Sequence, residues 1–188
     1  MTNPIIRVVT STALTSDDVV TLDSAIRWLR AQGIDDQSTI LECVQGAVQE
    51  AEERTNRTLR QSITRTVYFG CWQYIMQMPS PPLISVSSVK YYDEANTLQT
   101  VSSADYSVRT QDRGPGWIEF ASDYDFATTY NYTAEPIQIE IVTGYGSAAA
   151  QLPLVKTAIR LLVIAAHVLD ASQRNEAYRL LQNFVYRG

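Results

Sequence analysis

The sequence predicts an α+β protein, read as a single domain over residues 1–188. Its N-terminal part (1–60) is helical, 61–146 is a mainly antiparallel β module, and 147–188 is a C-terminal helix with a tail. Three observations lead there. Apolar residues recur at helical spacing up to about Arg60, the period switches to two from Gln61, and the helical period returns after Pro153.

The first helix is expected over 17–32, opened by Ser16-Asp17-Asp18, with Val19, Leu22, Ala25, Ile26 and Leu29 on one stripe and Gly33 at its end. The second is expected at once, capped by Asp35 and Asp36. Ile40, Val44, Ala47, Val48, Ala51 and Thr55 form its buried stripe, and Glu42, Gln45, Gln49, Glu50 and Glu53 face away. It should end between Asn56 and Arg60. Ile63, Arg65, Val67 and Phe69 then alternate with polar residues and Tyr68, as in a strand with one buried face.

Further strands are expected at 85–92, 106–110, 117–121 and 137–143. The turn signals between them, Pro79-Ser80-Pro81-Pro82, Asp93-Glu94-Ala95-Asn96, Arg113-Gly114-Pro115-Gly116 and Gly144-Tyr145-Gly146, suit hairpins better than crossover helices. From Pro153 to Asp170 the apolar residues Val155, Ala158, Ile159, Leu161, Leu162, Val163, Ile164, Ala165 and Leu169 leave almost no polar face. Such a helix needs cover on two sides, so one side is expected inside the subunit and Leu161, Ile164 and Val168 against a neighbouring copy.

Composition excludes several functional classes. Apolar types make up 45% and charged types 19% of the 188 residues, an ordinary globular balance. With 15 Lys and Arg against 20 Asp and Glu the net charge is -5, the wrong sign for a protein that coats nucleic acid. Residues 1–60 hold six cations and nine anions, 61–146 hold four and nine, and 147–188 hold five and two, so only the last stretch is basic. Thirteen of the 15 cations are Arg, which favours fixed bidentate contacts. Cys43 and Cys71 form no metal or redox motif and read as small buried groups. The start of the sequence lacks a signal-peptide pattern and no 18-residue apolar run occurs, so neither secretion by that route nor a membrane span is expected.

Chemistry is sparse. The one histidine, His167, lies in the apolar helix and reads as a core or interface residue rather than a base. Asp17-Asp18 and Asp35-Asp36 suit helix N-termini, and Glu52-Glu53 suits a solvated helix face, so no metal site, cofactor or catalytic residue is expected. Neither glycine-rich turn has a phosphate-binding pattern. Tyr91, Tyr92, Tyr124, Tyr130, Tyr132 and Tyr145 with Trp72 and Trp117 could stack nucleobases or sugars, which leaves a nucleic-acid-binding or carbohydrate-binding module as the alternative reading.

The order of motifs resembles the head-tail connector (adaptor) proteins of long-tailed bacteriophages. Ala47 to Leu59 is similar to that family's "A..E..TGR.L", with Asn56 where glycine is usual. Met78 to Asp93 is similar to "LP..P..SV.SV.Y.D", and Ala104-Asp105-Tyr106-Ser107-Val108 to "..YxV". Gly144-Tyr145-Gly146, Pro153 to Ile159, Leu180-Leu181 and Tyr186-Arg187 are similar to "GYG...P..IK.AI" and "LL..YR". The segment 121–135, rich in Asp and Tyr, matches no motif.

The resemblance implies a non-enzymatic virion component assembled in the host cytoplasm. It implies a homo-oligomeric ring, a dodecamer in the virion, between the portal and a stopper or tail-completion protein, with genomic DNA passing through without specific binding. It also implies that the C-terminal end docks on the portal. Arg174, Tyr178, Arg179, Phe184, Tyr186 and Arg187 are the expected contacts, since Arg and aromatic residues anchor interfaces.

Overall fold

A computed structural model describes residues 5–10, 19–30, 37–111, 114–145, 153–168 and 170–186, with the side chains of Ile6, Arg30 and Val168 outside that description. The chain forms two compact units: Met1–Ala13 with Ser62–Gly144, and Leu14–Gln61 with Tyr145–Gly188. The first is all β among its described residues and the second is helical, so the class is α+β as expected.

In the β unit, β1 (Ile5–Thr10), β2 (Ile63–Phe69), β8 (Ile137–Thr143), β4 (Leu83–Tyr92) and β5 (Leu98–Thr100) make a five-stranded sheet in that spatial order. A second sheet has the order β3 (Ile75–Gln77), β7 (Trp117–Phe120), β6 (Tyr106–Arg109). Every pairing is antiparallel. The period-two pattern explains the central strands: Val67 opposes Ile139 and Phe69 opposes Ile137, and all four side chains are buried. They share one core with Val89, Met76, Ile118 and Phe120, so the inner faces of both sheets close on the same apolar cluster. Gly144, with φ 133°, ends β8 in a conformation that side chains oppose and donates its N–H to the Pro82 carbonyl at 2.9 Å.

Two sequence expectations need correction here. Ile5–Thr10 belongs to the β unit and not to a helical N-terminal stretch, because its β-branched run pairs along β2. β3 and β5 are three-residue strands, too short to show a period.

In the helical unit, α1 spans Leu22–Arg30. It starts later than the sequence suggested: Thr21 accepts from the Ser24 and Ala25 amides through its carbonyl, and Val19 and Val20 are buried outside the helix. The expected caps Ser16 to Asp18, Asp35 and Asp36, and the stop at Gly33, lie outside the described residues. Helix α2 (Gln37–Thr55) buries Ile40, Val44, Ala47, Val48, Ala51 and Thr55, the stripe the spacing predicted. Beyond it, Asn56 takes φ 52°, and the Arg57 amide reaches back to the Glu52 carbonyl at 3.3 Å. This is a Schellman ending, which places the left-handed residue where glycine is usual and asparagine tolerated.

Helix α3 (Pro153–Val168) buries Val155, Ala158, Ile159, Leu162, Val163 and Ala165. It packs against α1, α2 and α4 (Ala171–Leu181), and a 3₁₀ turn, Gln182–Phe184, follows α4. The expectation of a helix with almost no polar face is corrected: Thr157, Arg160 and His167 are exposed on α3. His167 is therefore not a core residue. Helix α4 covers part of α3, its Ala177 and Leu181 fully buried, and Leu161 and Ile164 stay half-buried at the margin of this core.

Candidate docking surface

The C-terminal segment was expected to carry the docking residues, and its placement is set by α2. Asp170 opens α4 as its N-cap, its carboxylate accepting from the Ser172 amide at 2.8 Å and the Ser172 hydroxyl at 2.7 Å. Those bonds hold the Asp170 carboxyl below its ordinary range. One turn of contacts then ties α4 to α2. Tyr178 Oη donates to Glu50 Oε1, the Arg54 guanidinium lies 3.6 Å from the Tyr178 ring centre, and Arg174 Nε approaches Glu50 at 3.8 Å. The bond to Glu50 raises the Tyr178 hydroxyl above its usual pKa. Past the 3₁₀ turn, Arg57 Nε donates to the Phe184 carbonyl at 2.6 Å and the Tyr186 amide donates to the Thr55 carbonyl at 2.8 Å.

The predicted docking residues therefore separate into two groups. Tyr178, Phe184 and Tyr186 are half-buried and engaged with α2, whereas Arg174 and Arg179 are exposed. Arg179 bonds to Glu176 within α4 at 2.6 and 2.8 Å. Arg187 lies outside the described residues, as does the Val168 side chain.

Glu50 and Arg54 on α2, and Arg57 just beyond its end, were missed by sequence reasoning; the 50, 54 spacing on one helix face was a legible signal, whereas Arg57 is placed by the left-handed turn at Asn56. Two acidic expectations are corrected. Glu50 does not simply face away, because α4 covers it, and Glu52 is not on a solvated face. Its carboxylate accepts from the Leu59 amide at 2.9 Å and stands 3.3 Å from Arg60 Nε, on a side chain only 3% exposed. A buried guanidinium of this kind needs a nearby carboxylate.

In the β unit, Trp72, Tyr91, Phe120, Tyr124 and Phe126 form a packed cluster, whereas Tyr145, read with the β aromatics, packs against the helical core. Trp72 lies 5.5–5.6 Å from the rings of Tyr91, Phe120 and Phe126, and Phe120 lies 5.2 Å from Tyr124. Burial raises the hydroxyl pKa values of Tyr106 and Tyr124, the latter also through Asp105. Segment 121–135 supplies Tyr124 and Phe126 to this cluster, and the Ala127 carbonyl accepts from Trp72 Nε1 at 3.2 Å. Tyr132 stands outside, 89% exposed.

Cys43 packs half-buried against the helical core, where burial pushes its thiol pKa up, but Cys71 is exposed and not the small buried group expected. Among the described residues no group of three His, Cys, Asp or Glu side chains could hold a metal ion, and no helix is long and apolar enough to cross a membrane.

No family model matches the sequence, and no curated protein is similar to it. Solved structures share the fold. The chain is similar to one in the virion of a native gene transfer agent (GTA) particle, with a TM-score of 0.80, 17% identity and 97% of each chain covered. It is similar also to a chain in the neck of an empty GTA particle computed with C6 symmetry (TM-score 0.74, 15% identity, 97% of each chain). A third likeness is to a chain in the neck of a native GTA particle computed with C12 symmetry (TM-score 0.72, 16% identity, 97% of each chain). These likenesses show the fold: this chain shares it, over 97% of its length, with chains of GTA virion and neck structures.

Proposed function

We propose that this chain is a structural neck protein of a virion, copies of which form a ring joining the capsid portal to the tail. The observation that supports this most is the likeness over 97% of the chain to chains of a GTA virion and of GTA necks with C6 and C12 symmetry. The reading takes the protein as non-enzymatic and as working without a cofactor. Genomic DNA passes through the ring, and a net charge of -5 suits a lumen to which DNA does not adhere.

In this reading the partners are the portal on one side and a stopper or tail-completion protein on the other. Arg174 and Arg179, exposed on α4, and Arg187 meet the portal, with Tyr178, Phe184 and Tyr186 shaping the surface from beneath. Leu161, Ile164 and Val168 contribute to the contact between copies. Electron micrographs of the purified protein mixed with portal rings test the proposal. Coaxial rings on the portal are the expected result, and free monomers beside bare portals would remove it. Double replacement of Arg174 and Arg179 by Gln should abolish co-sedimentation with portal rings while the protein stays folded. Ile164→Lys, at a half-buried position of α3, should keep the helical content and prevent ring formation.

A further inference from the structure

We infer that Tyr132 and the acidic residues of its loop form a docking surface for a protein partner that offers an apolar socket edged by Lys or Arg. In the neck reading, on which this inference rests, the portal contacts lie on the helical unit, so the occupant of this surface is the tail-completion protein.

Tyr132 is 89% exposed, yet the loop that carries it is braced on both sides. Before it, Thr129 forms a bridge pair with Asp93, the Tyr130 amide donates to the Tyr92 carbonyl at 2.9 Å, and Trp72 Nε1 donates to the Ala127 carbonyl at 3.2 Å. After it, the Glu135 amide donates to Thr133 Oγ1 at 3.2 Å, and the Tyr92 amide donates to the Pro136 carbonyl at 2.9 Å. Arg7 grips the Glu135 carboxylate through Nε and Nη2 at 3.0 and 2.6 Å. A loop held in this way has little freedom left to lose on binding, and a tyrosine side chain has only two torsions to fix. The ring is therefore presented ready for contact.

The surroundings of the ring set the charge of what it meets. Residues 93–96 and 121–135 hold five carboxylates and no Lys or Arg. Two of the five serve the fold: Asp93 accepts from the Ala95 and Thr97 amides and from Gln99, and Glu135 accepts from Arg7. Glu94, Asp123 and Asp125 are exposed and have neither an ion pair nor a hydrogen bond among the described residues. Glu94 shares a shallow depression with Thr128, which puts the 93–96 turn beside the loop.

The occupant follows from these two features. Nucleic acid is repelled by unpaired carboxylates. A sugar platform needs a row of open rings, whereas Trp72, Tyr91 and Tyr124 pack against the β core. A protein surface of opposite charge with a socket for one aromatic anchor answers both the ring and the carboxylates.

The test uses the full chain, with the portal protein and the tail-completion protein of the same particle as separate probes. Tyr132→Ser should weaken binding to the tail-completion protein by about tenfold or more. The triple variant Glu94→Gln, Asp123→Asn, Asp125→Asn should weaken it as well and flatten its dependence on salt. Because all four side chains are exposed, both variants should melt at the temperature of the unaltered protein and co-sediment with portal rings as it does. Unchanged binding of the tail-completion protein by either variant would overturn the docking surface and leave the neck reading intact. So would a melting temperature raised by calcium in the unaltered protein and not in the triple variant, which would assign the carboxylates to a metal ion. An unaltered protein that binds neither probe would overturn the neck reading and this surface with it.

Discussion

Arg57 Nε and the carbonyl oxygen of Phe184 stand 2.6 Å apart, joining the end of α2 to a turn 127 positions later in the chain. The bond is charge-assisted and half-shielded, and the Tyr186 amide to the Thr55 carbonyl runs beside it at 2.8 Å. Arg57→Ala should lower stability by about 1 kcal/mol. It should also raise exchange at the amides of 184–186 more than at those of α3, a contrast that hydrogen exchange measures.

Asn56 bears the left-handed turn that ends α2. Replacement by glycine should be neutral or slightly stabilising, whereas Asn56→Val should cost about 1–2 kcal/mol, because a β-branched side chain resists that backbone conformation. Urea unfolding of the two variants checks the difference in sign and size.

Tyr178 has its hydroxyl pKa raised above the ordinary value of 10.0, chiefly because it donates to Glu50. The folded state therefore holds that proton more tightly than the unfolded chain does. Its contribution to stability is complete below pH 10 and falls as the pH rises through the folded-state value. Tyr178→Phe should be less stable than the unaltered protein at pH 8, and the gap should narrow above pH 10 in thermal melts.

Asp170 behaves in the opposite sense. Its carboxyl is held below 3.8 by bonds from Ser172, so its stabilisation of α4 is present above that pH and is lost as the pH falls through the folded-state value. Asp170→Asn should melt at a lower temperature than the unaltered protein at pH 7, and the gap should narrow as the pH falls below 3.8.

Gly116, where the chain enters β7, has no room for a side chain: a Cβ there would meet Leu83 and lie 2.8 Å from the Arg109 carbonyl oxygen. Gly116→Ala should destabilise the β unit by about 1–3 kcal/mol, since backbone and core must both shift. A lower urea midpoint with helical content preserved at intermediate denaturant would locate the loss in the β unit.

The sequence by itself determined the elements whose side chains repeat. The α2 stripe from Ile40 to Thr55 and the alternation Ile63, Val67, Phe69 are periodic because each element buries one face, and a period can be read without knowing what covers that face. The motif order from Ala47 to Tyr186 likewise carried the fold resemblance. Other features depended on partners distant in the chain. β1 is a strand because β2 lies beside it, 55 or more positions away, and Glu50 is half-buried because α4 returns over it. His167 and Cys71 are exposed although their neighbours in sequence are apolar. Only the tertiary structure decided these, since burial of a single side chain reports which element arrives from elsewhere, and local spacing contains no record of that arrival.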